Sequence, residues 1–406
     1  MKILFIVPYM PNLIRARSYN LTRNLARMGH QVTIASLWTD EHEMMDKQAL
    51  EGNSLSVTAL GQPKWRSAWN CLLALPTGTP LQAVYSWSPM LARRLGDLVG
   101  CNDNAGFDVI HVEHLRGARY GEYIKSRFPE IPVVWDSVDC ISYLFEQASG
   151  RSRSNFSRLV TRLELNRTRK YEGKLPGKFD HVLITSQADR QALLDLTPEN
   201  AANAPVSILP NGVDWEYFGR REIDSREPAT VILSGKMSYH ANITMALYLM
   251  NEIMPYVWEK RPDVRFLIVG KDPPAQVRAL ADNPAVTVTG TVDDIRPYLH
   301  RATLAVVPLV YGAGSQFKVL EAMACGTPVV ATSRAVLALD VVPDRDLLIA
   351  DNPADFAGKM LKLIEDRSIQ QQVGQCGRQY VEANHQWARI TLRLEGVYHE
   401  VIRTRN

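Results

Sequence analysis

The segment that most constrains this chain is a Gly-Ala-Gly-Ser loop that runs directly into a helix-forming stretch. The two glycines let backbone N–H groups approach an anion closely, and the serine can cap the helix that follows. The N-terminus of such a helix favours negative charge. Lys318 and Glu321 lie three residues apart and so share one face of that helix. The pattern predicts a phosphate-binding loop beside a cation and a carboxylate that suits a ribose diol. The loop residues are Gly312, Ala313, Gly314 and Ser315.

Short apolar runs alternate with helical patterns along the whole chain, which predicts an α/β protein with mostly parallel sheets. The predicted strands lie at residues 3–8, 32–37, 55–60, 109–112, 133–135, 181–185 and 206–209 in the first half, and at 230–234, 265–269, 286–289, 304–308, 329–331 and 347–349 in the second half. The two halves therefore resemble each other in organisation.

The length of 406 residues favours two domains, each large enough for its own core. Residues 216–228 form a polar stretch with seven charged residues, which is typical of a linker. The sequence predicts a first domain at 1–220, a second domain at 221–385 and a terminal helix at 386–406.

Composition excludes several functional classes. The chain is 46% hydrophobic and 22% charged, with a net charge of +3, which describes a globular protein and is too mild to indicate nucleic acid as a partner. Its five cysteines are odd in number and form no close pair, so the sequence predicts a reducing, cytoplasmic compartment. No run approaches the roughly 18 apolar residues of a membrane span, so any membrane contact is expected to be peripheral.

Two motifs carry a family resemblance. The string Lys-Val-Leu-Glu-Ala-Met-Ala-Cys-Gly-Thr-Pro from Lys318, and Pro-Asn-Gly-Val-Asp from Pro210, resemble the signatures of glycosyltransferase family 4. The resemblance implies a GT-B architecture, in which two Rossmann-like domains face each other across a cleft. It also implies transfer of a hexose from a nucleoside diphosphate sugar to a hydroxyl of a saccharide or lipid-linked acceptor, with retention at the anomeric carbon. Polysaccharide or glycoconjugate synthesis is the expected setting.

The resemblance further implies roles for residues of the second domain. Lys318, Glu321 and Lys236 are expected to act on the donor diphosphate and ribose, with Gly235 and Gly270 shaping the donor site at strand ends. No cofactor and no metal are expected, because helix N-termini and basic side chains can neutralise a leaving diphosphate. The terminal helix is expected to pack back on the first domain.

One position departs from the family pattern. The family has two glutamates separated by seven residues, and counting back from Glu321 the first falls at Ala313. We expect this change to alter recognition of the donor sugar. Two other classes stay open: a GT-B nucleotide-sugar epimerase, and an inactive nucleotide-sugar-binding partner subunit.

Polar side chains also follow the predicted strands of the first half. The candidates for acceptor or sugar contacts are Arg17, Glu113, His114, Asp136 and Asp139. Alternation along a strand places His111 and Glu113 on one face, but the sequence reveals no third ligand to complete a metal site. An ordinary helix-start arginine explains Arg17 equally well.

Residues 151–178 contain nine basic and two acidic side chains, with an apolar stripe at helical spacing near the start. The pattern predicts a basic amphipathic helix. Such a helix can lie on an anionic membrane at the inner face. A solvated basic face above a core-facing stripe explains the same pattern.

Overall fold

The computed structural model describes residues 1–13, 15–52, 55–100, 106–149, 155–198, 204–219, 226–311 and 317–405. The chain forms two compact units. The first comprises Met1–Pro210 and Trp387–Asn406, and the second comprises Asn211–Gln386.

The first unit is built on a seven-stranded parallel sheet with the order β3-β2-β1-β4-β5-β6-β7. Its central strands are fully buried apolar runs, as expected for a parallel sheet covered on both faces. The strands are β1 Lys2–Val7, β2 Gln31–Trp38, β3 Ser56–Gly61, β4 Val109–Glu113, β5 Val133–Val138, β6 His181–Ile184 and β7 Val206–Ile208.

Helices connect these strands. They are α1 Ala16–Arg27, α2 Glu41–Glu51, α3 Lys64–Ala74, α4 Leu81–Tyr85, α5 Pro89–Gly100, α6 His114–Arg127, α7 Ile141–Ser149, α8 Asn155–Glu172 and α9 Gln187–Leu196, with a 3-10 turn at Leu175–Gly177. Side-chain caps fix several starts. Asp40 accepts from the backbone N–H of Glu43 at α2, and Ser186 accepts from that of Asp189 at α9.

The second unit has a six-stranded parallel sheet with the order β10-β9-β8-β11-β12-β13. Its strands are β8 Thr230–Ser234, β9 Arg265–Val269, β10 Val286–Gly290, β11 Leu304–Val307, β12 Val329–Ala331 and β13 Leu348–Ile349. Its helices are α10 His240–Tyr248, which continues through a π-helical turn at Leu249–Ile253 into α11 Met254–Lys260, then α12 Ala275–Arg278, α13 Arg296–Arg301, α14 Phe317–Ala324, α15 Pro353–Glu365 and α16 Arg367–Asn384, with 3-10 turns at Ala279–Asp282 and Ser333–Val336.

The last helix, α17 Trp387–Arg403, belongs to the first unit, where it packs against α1. Tyr398 is fully buried and its hydroxyl lies 2.9 Å from Nδ1 of His111 in β4. His30 Nε2 lies 2.9 Å from a carboxylate oxygen of Glu395. The helix thus completes the first unit after the second unit has been traced.

The thirteen predicted strands are all present, and the prediction of two Rossmann-like α/β domains is confirmed. The division falls after Pro210, upstream of the predicted boundary at 220. Val213 and Phe218 are buried in the core of the second unit, which explains why the chain joins that unit so early. No helix in the described part of the chain combines the length and apolarity needed to cross a membrane.

Candidate functional site

In the second unit, the candidate site lies where the strand order reverses. β8 pairs with β9 on one side and with β11 on the other, so the loops that leave β8 and β11 diverge at this point. Open parallel sheets bind ligands at such a switch point, outside the carboxyl ends of the strands. Gly235 and Lys236 follow β8, whereas Lys318 and Glu321 lie in the helix that follows β11.

Two glycines make the close contact between the ends of β8 and β9. Gly235 and Gly270 have φ values of +142° and +154°. A Cβ added to Gly270 would lie 1.7 Å from the carbonyl oxygen of Gly235, and one added to Gly235 would lie 2.8 Å from Nδ2 of Asn242 and 3.3 Å from Cε of Lys318. The two loop ends and the Lys318 side chain therefore fit together only because both positions lack a side chain.

Asn242 fixes the position of the Lys318 ammonium. Lys318 Nζ donates to Oδ1 of Asn242 at 2.7 Å, and Nδ2 of the same amide donates to the carbonyl of Lys236 at 2.8 Å. Burial lowers the pKa of Lys318 to about 8, against the opposing effect of the Glu321 charge. Burial likewise raises the pKa of Glu321 to about 7, although the Lys318 charge acts to lower it. The pair therefore changes protonation near neutral pH.

An aromatic pair stands at the entry to the Gly-Ala-Gly-Ser loop. The rings of His240 and Tyr311 stack with centroids 5.4 Å apart, and the Tyr311 hydroxyl lies 2.8 Å from Nδ1 of His240. Thr244 Oγ1 lies 3.2 Å from the same hydroxyl. Tyr311 immediately precedes the loop, so these contacts anchor its first end to α10.

The structure brings together four of the residues that the sequence assigns to the donor site: Gly235, Gly270, Lys318 and Glu321. The Lys236 side chain is exposed, and its backbone carbonyl is the part that joins the cluster. The predicted loop residues Gly312, Ala313, Gly314 and Ser315 lie outside the described residues. The roles of all these residues in donor binding remain predictions.

Sequence reasoning missed Asn242, His240 and Tyr311. The available signal was the string Tyr-His-Ala-Asn at 239–242, which begins a helix just after the Gly-Lys turn. Polar groups in the first turn of a helix at a strand end are well placed to contact a ligand or its cation.

The first unit contains a buried ionic network at its own switch point, where β1 lies between β2 and β4. Arg17 donates from Nε and Nη2 to the two carboxylate oxygens of Asp136, at 2.8 and 3.1 Å. The guanidinium also donates to the carbonyls of Leu209 and Pro210. Burial acts to raise the pKa of Asp136, but the Arg17 charge and the His111 contact outweigh it, and the pKa is lowered.

Glu113 lies beside this network and is fully buried with Tyr9. The Tyr9 hydroxyl donates to Oε1 at 2.5 Å, whereas Oε2 has no hydrogen-bond partner among the described residues. Burial, reinforced by the Asp136 charge, raises the pKa of Glu113 to about 7. A buried carboxyl with an unused oxygen can hold or accept a proton.

His111, Glu113 and Asp136 each present a ligand atom within 4.8 Å of the others, so Asp136 is the third partner that the sequence did not reveal. Both oxygens of Asp136, however, already accept from Arg17. A divalent ion placed there would meet a fixed guanidinium charge. We therefore interpret the cluster as a salt-bridge network and not as a metal centre.

His114 and Asp139 lie at the ends of β4 and β5. His114 begins α6 with a φ of +66°, and Val138 just before Asp139 has a φ of +67°. Both are strained for residues with a side chain, and such strain concentrates at functional sites. Burial lowers the pKa of His114 to about 4 and, together with the charge of Asp189, raises that of Asp139 to about 7.

Two parallel-sheet Rossmann-like units with polar groups at their switch points define a GT-B protein. Residues 16–217 match the family profile described as Glycosyltransferase Family 4, and residues 228–366 match the profile described as Glycosyl transferases group 1. The two matches cover most of the chain. The protein belongs to glycosyltransferase family 4.

Similar proteins agree with this assignment. The chain is 30% identical over 158 residues to a GDP-mannose-dependent monoacylated alpha-(1-6)-phosphatidylinositol monomannoside mannosyltransferase from Corynebacterium glutamicum, covering 36% of this chain and 41% of the relative. It is 27% identical over 207 residues to a phosphatidyl-myo-inositol mannosyltransferase from Mycobacterium tuberculosis, covering 48% and 53%. The matches thus span only about half of these relatives or less.

Solved structures share the fold over the full length. Sucrose-phosphate synthase from Thermosynechococcus elongatus aligns with a TM-score of 0.66 at 18% identity and covers 100% of both chains. The Anabaena HepE protein in complex with UDP aligns with a TM-score of 0.67 at 15% identity, covering 98% of this chain and 100% of that chain.

Proposed function

We propose that this protein is a retaining glycosyltransferase that moves a hexose from a nucleoside diphosphate sugar to a hydroxyl acceptor. The observation that carries the proposal is the convergence of Gly235, Gly270, Lys318 and Glu321 at the switch point of the second sheet. Backbone without side chains, a fixed ammonium and a carboxylate on the next helical turn are the groups that a diphosphate and a ribose require.

In the proposed reaction, Lys318 stabilises the negative charge that develops on the diphosphate as the glycosidic bond to the donor breaks. Glu321 accepts hydrogen bonds from the ribose hydroxyls and so fixes the nucleotide. The departing phosphate oxygen takes the proton of the acceptor hydroxyl while that hydroxyl forms the new bond on the same face of the sugar. No side-chain base and no metal ion are needed in this scheme. Glu113, His114 and Asp139 remain candidates for acceptor or sugar contacts.

The similar proteins support the substrate class. Two are named as mannosyltransferases that act on phosphatidylinositol derivatives, and one of these names specifies GDP-mannose. The HepE structures contain UDP or UDP-glucose. We therefore propose a UDP- or GDP-hexose as donor and a saccharide or lipid-linked hydroxyl as acceptor.

A melting-temperature screen of UDP-, GDP- and dTDP-sugars tests the proposal. A ligand that binds the folded state stabilises it by RT ln(1 + [L]/Kd), so at least one sugar nucleotide is expected to raise the melting temperature. The matching free nucleoside at the same concentration is the control, because it lacks the diphosphate. A screen in which no sugar nucleotide produces a shift would count against the proposed donor site.

Replacing Glu321 by Gln is expected to weaken nucleoside diphosphate binding by about 1.5 to 3 kcal/mol, because a charged acceptor for the ribose is lost. Isothermal titration calorimetry with UDP and GDP measures the change. Glu259→Gln alters an exposed carboxylate of the same unit in α11 and is expected to leave the Kd unchanged. Equal affinity in Glu321→Gln and the parent would remove Glu321 from the site.

Nucleotide affinity is expected to fall as the pH rises above about 8. The pKa of Lys318 is lowered to about 8, so a higher pH removes the ammonium charge that a diphosphate requires. The Kd should then increase by up to about tenfold per pH unit. Lys318→Arg keeps its charge in this range and should give a flat profile if it binds. A parent Kd that stays constant from pH 7 to pH 9.5 would contradict this role.

A further inference from the structure

Helix α3 of the first unit presents its apolar side outwards. Its inward face carries Ser67, Asn70 and Ala74. Its outward face carries side chains that a folded protein normally buries. We refer to the following residues, with their exposed fractions, as the α3 patch: Trp65 66%, Trp69 56%, Leu72 54%, Leu73 59% and Leu75 49%. Two tryptophans and three leucines exposed side by side exceed the scattered apolar residues of an ordinary surface.

The orientation of α3 is fixed by polar contacts on its inward side. The Asn70 amide donates to the carbonyls of Val84 and Trp87, at 3.1 and 2.8 Å. Ser67 Oγ accepts a hydrogen bond from the side chain of Gln62. Because these groups hold the polar face against the protein, rotating the helix to bury the α3 patch would break them. The apolar face is therefore held outwards.

Basic side chains surround the patch. From residue 52 to residue 96 the sequence contains no aspartate or glutamate, but it contains Lys64, Arg66, Arg93 and Arg94. A groove of about 600 Å³ runs along the patch. Arg66 and Arg119 line this groove together with the two tryptophans. The surface is thus both apolar and positively charged.

We infer that the α3 patch docks on an anionic lipid membrane. Tryptophan and leucine enter the boundary between headgroups and acyl chains, while flanking lysine and arginine contact the negative headgroups. A second copy of the chain is a poorer occupant, because a symmetric dimer would bring the same positive surfaces together. The inference is independent of the proposed transferase activity, and it places the contact on α3 instead of on residues 151–178.

Co-sedimentation with vesicles tests the inference. The full chain is expected to bind vesicles of phosphatidylcholine with phosphatidylglycerol, to bind pure phosphatidylcholine much less, and to dissociate as salt screens the charges. Trp65→Ser combined with Trp69→Ser should lower the partition coefficient by about tenfold or more. Lys64→Glu combined with Arg66→Glu should have a similar effect at low salt.

Two matched variants serve as controls. Lys170→Glu combined with Lys174→Glu makes the same charge change within 151–178, and Tyr256→Ser combined with Leu392→Ser removes two other exposed apolar side chains. Both should keep partitioning within about twofold of the parent. Several results would overturn the inference: no vesicle binding by the parent, equal binding to neutral vesicles, or an equal loss in either control. A dimer that dissociates in the tryptophan double variant would identify a second copy as the occupant instead.

Discussion

Replacing Arg17 by Met is expected to lower the free energy of unfolding by about 3 to 5 kcal/mol. The guanidinium is buried and binds both oxygens of Asp136, so its removal leaves a buried carboxylate without its cation. The carbonyls of Leu209 and Pro210 lose donors as well. Urea unfolding followed by circular dichroism measures the change.

Arg15 provides the matched control for this prediction. It lies two residues earlier and forms a half-exposed ion pair with Glu43, so Arg15→Met should cost about 1 kcal/mol or less. Adding Asp136→Asn to Arg17→Met should recover part of the lost stability, because the unpaired charge disappears. Equal effects of the two arginine substitutions would show that the Arg17 pair is not the buried network described here.

Replacing Gly270 by Ala is expected to destabilise the protein by about 3 kcal/mol or more and to abolish nucleotide binding. The new Cβ would lie 1.7 Å from the carbonyl oxygen of Gly235, and the φ of +154° is strained for alanine. Relief requires the ends of β8 and β9 to separate, which displaces Gly235 from Lys318. Thermal unfolding and calorimetric titration of UDP and GDP report the two effects.

Gly290 separates the steric effect from the backbone effect. It ends the neighbouring strand β10 with a φ of +71°, but a Cβ there would meet nothing within 4 Å. Gly290→Ala should therefore cost only about 1 kcal/mol for the left-handed backbone and should keep nucleotide affinity. If Gly270→Ala were as mild as Gly290→Ala, the close contact between the strand ends would be wrong.

The sequence predicted the fold well because its signal is local. Parallel strands that are buried on both faces read as short apolar runs, and Ile3 to Val7 or Val329 to Ala331 stand out against the helices between them. The boundary was less accurate, because Asn211 to Gly219 looks like a turn and linker. Only the packing of Val213 and Phe218 shows which core that segment joins.

Contacts between distant parts of the chain could not be predicted. Asn242 and Lys318 are 76 residues apart, and Arg17 and Asp136 are 119 apart. No periodicity links such positions, although each lies near the end of a strand or in the helix that follows. Sequence reasoning therefore found Lys318 and Asp136 but missed the amide that positions the first. It also considered Arg17 for a phosphate or acceptor contact and did not foresee its pairing with the second.

The surface of the first unit was also hard to predict. The basic stretch at 151–178 drew attention because it has a high positive charge, whereas α3 has a pattern that fits an ordinary amphipathic helix. Burial of Ser67 and exposure of Trp65 and Trp69 reverse that expectation. Which face of a helix points inwards depends on its neighbours, and here the contacts of Asn70 decide it.

Release of nucleoside diphosphate from a panel of UDP-, GDP- and dTDP-hexoses, with and without acceptor hydroxyls, tests the central claim most directly. The parent is expected to consume at least one donor. Lys318→Met should lower that rate, whereas Lys260→Met, at an exposed position of the same unit, should leave it unchanged. Because the rest of the donor machinery is present, we expect Ala313 to alter donor choice without abolishing turnover. If the parent consumes no donor while Ala313→Glu restores release, the protein is a degenerate transferase and the proposed function is wrong.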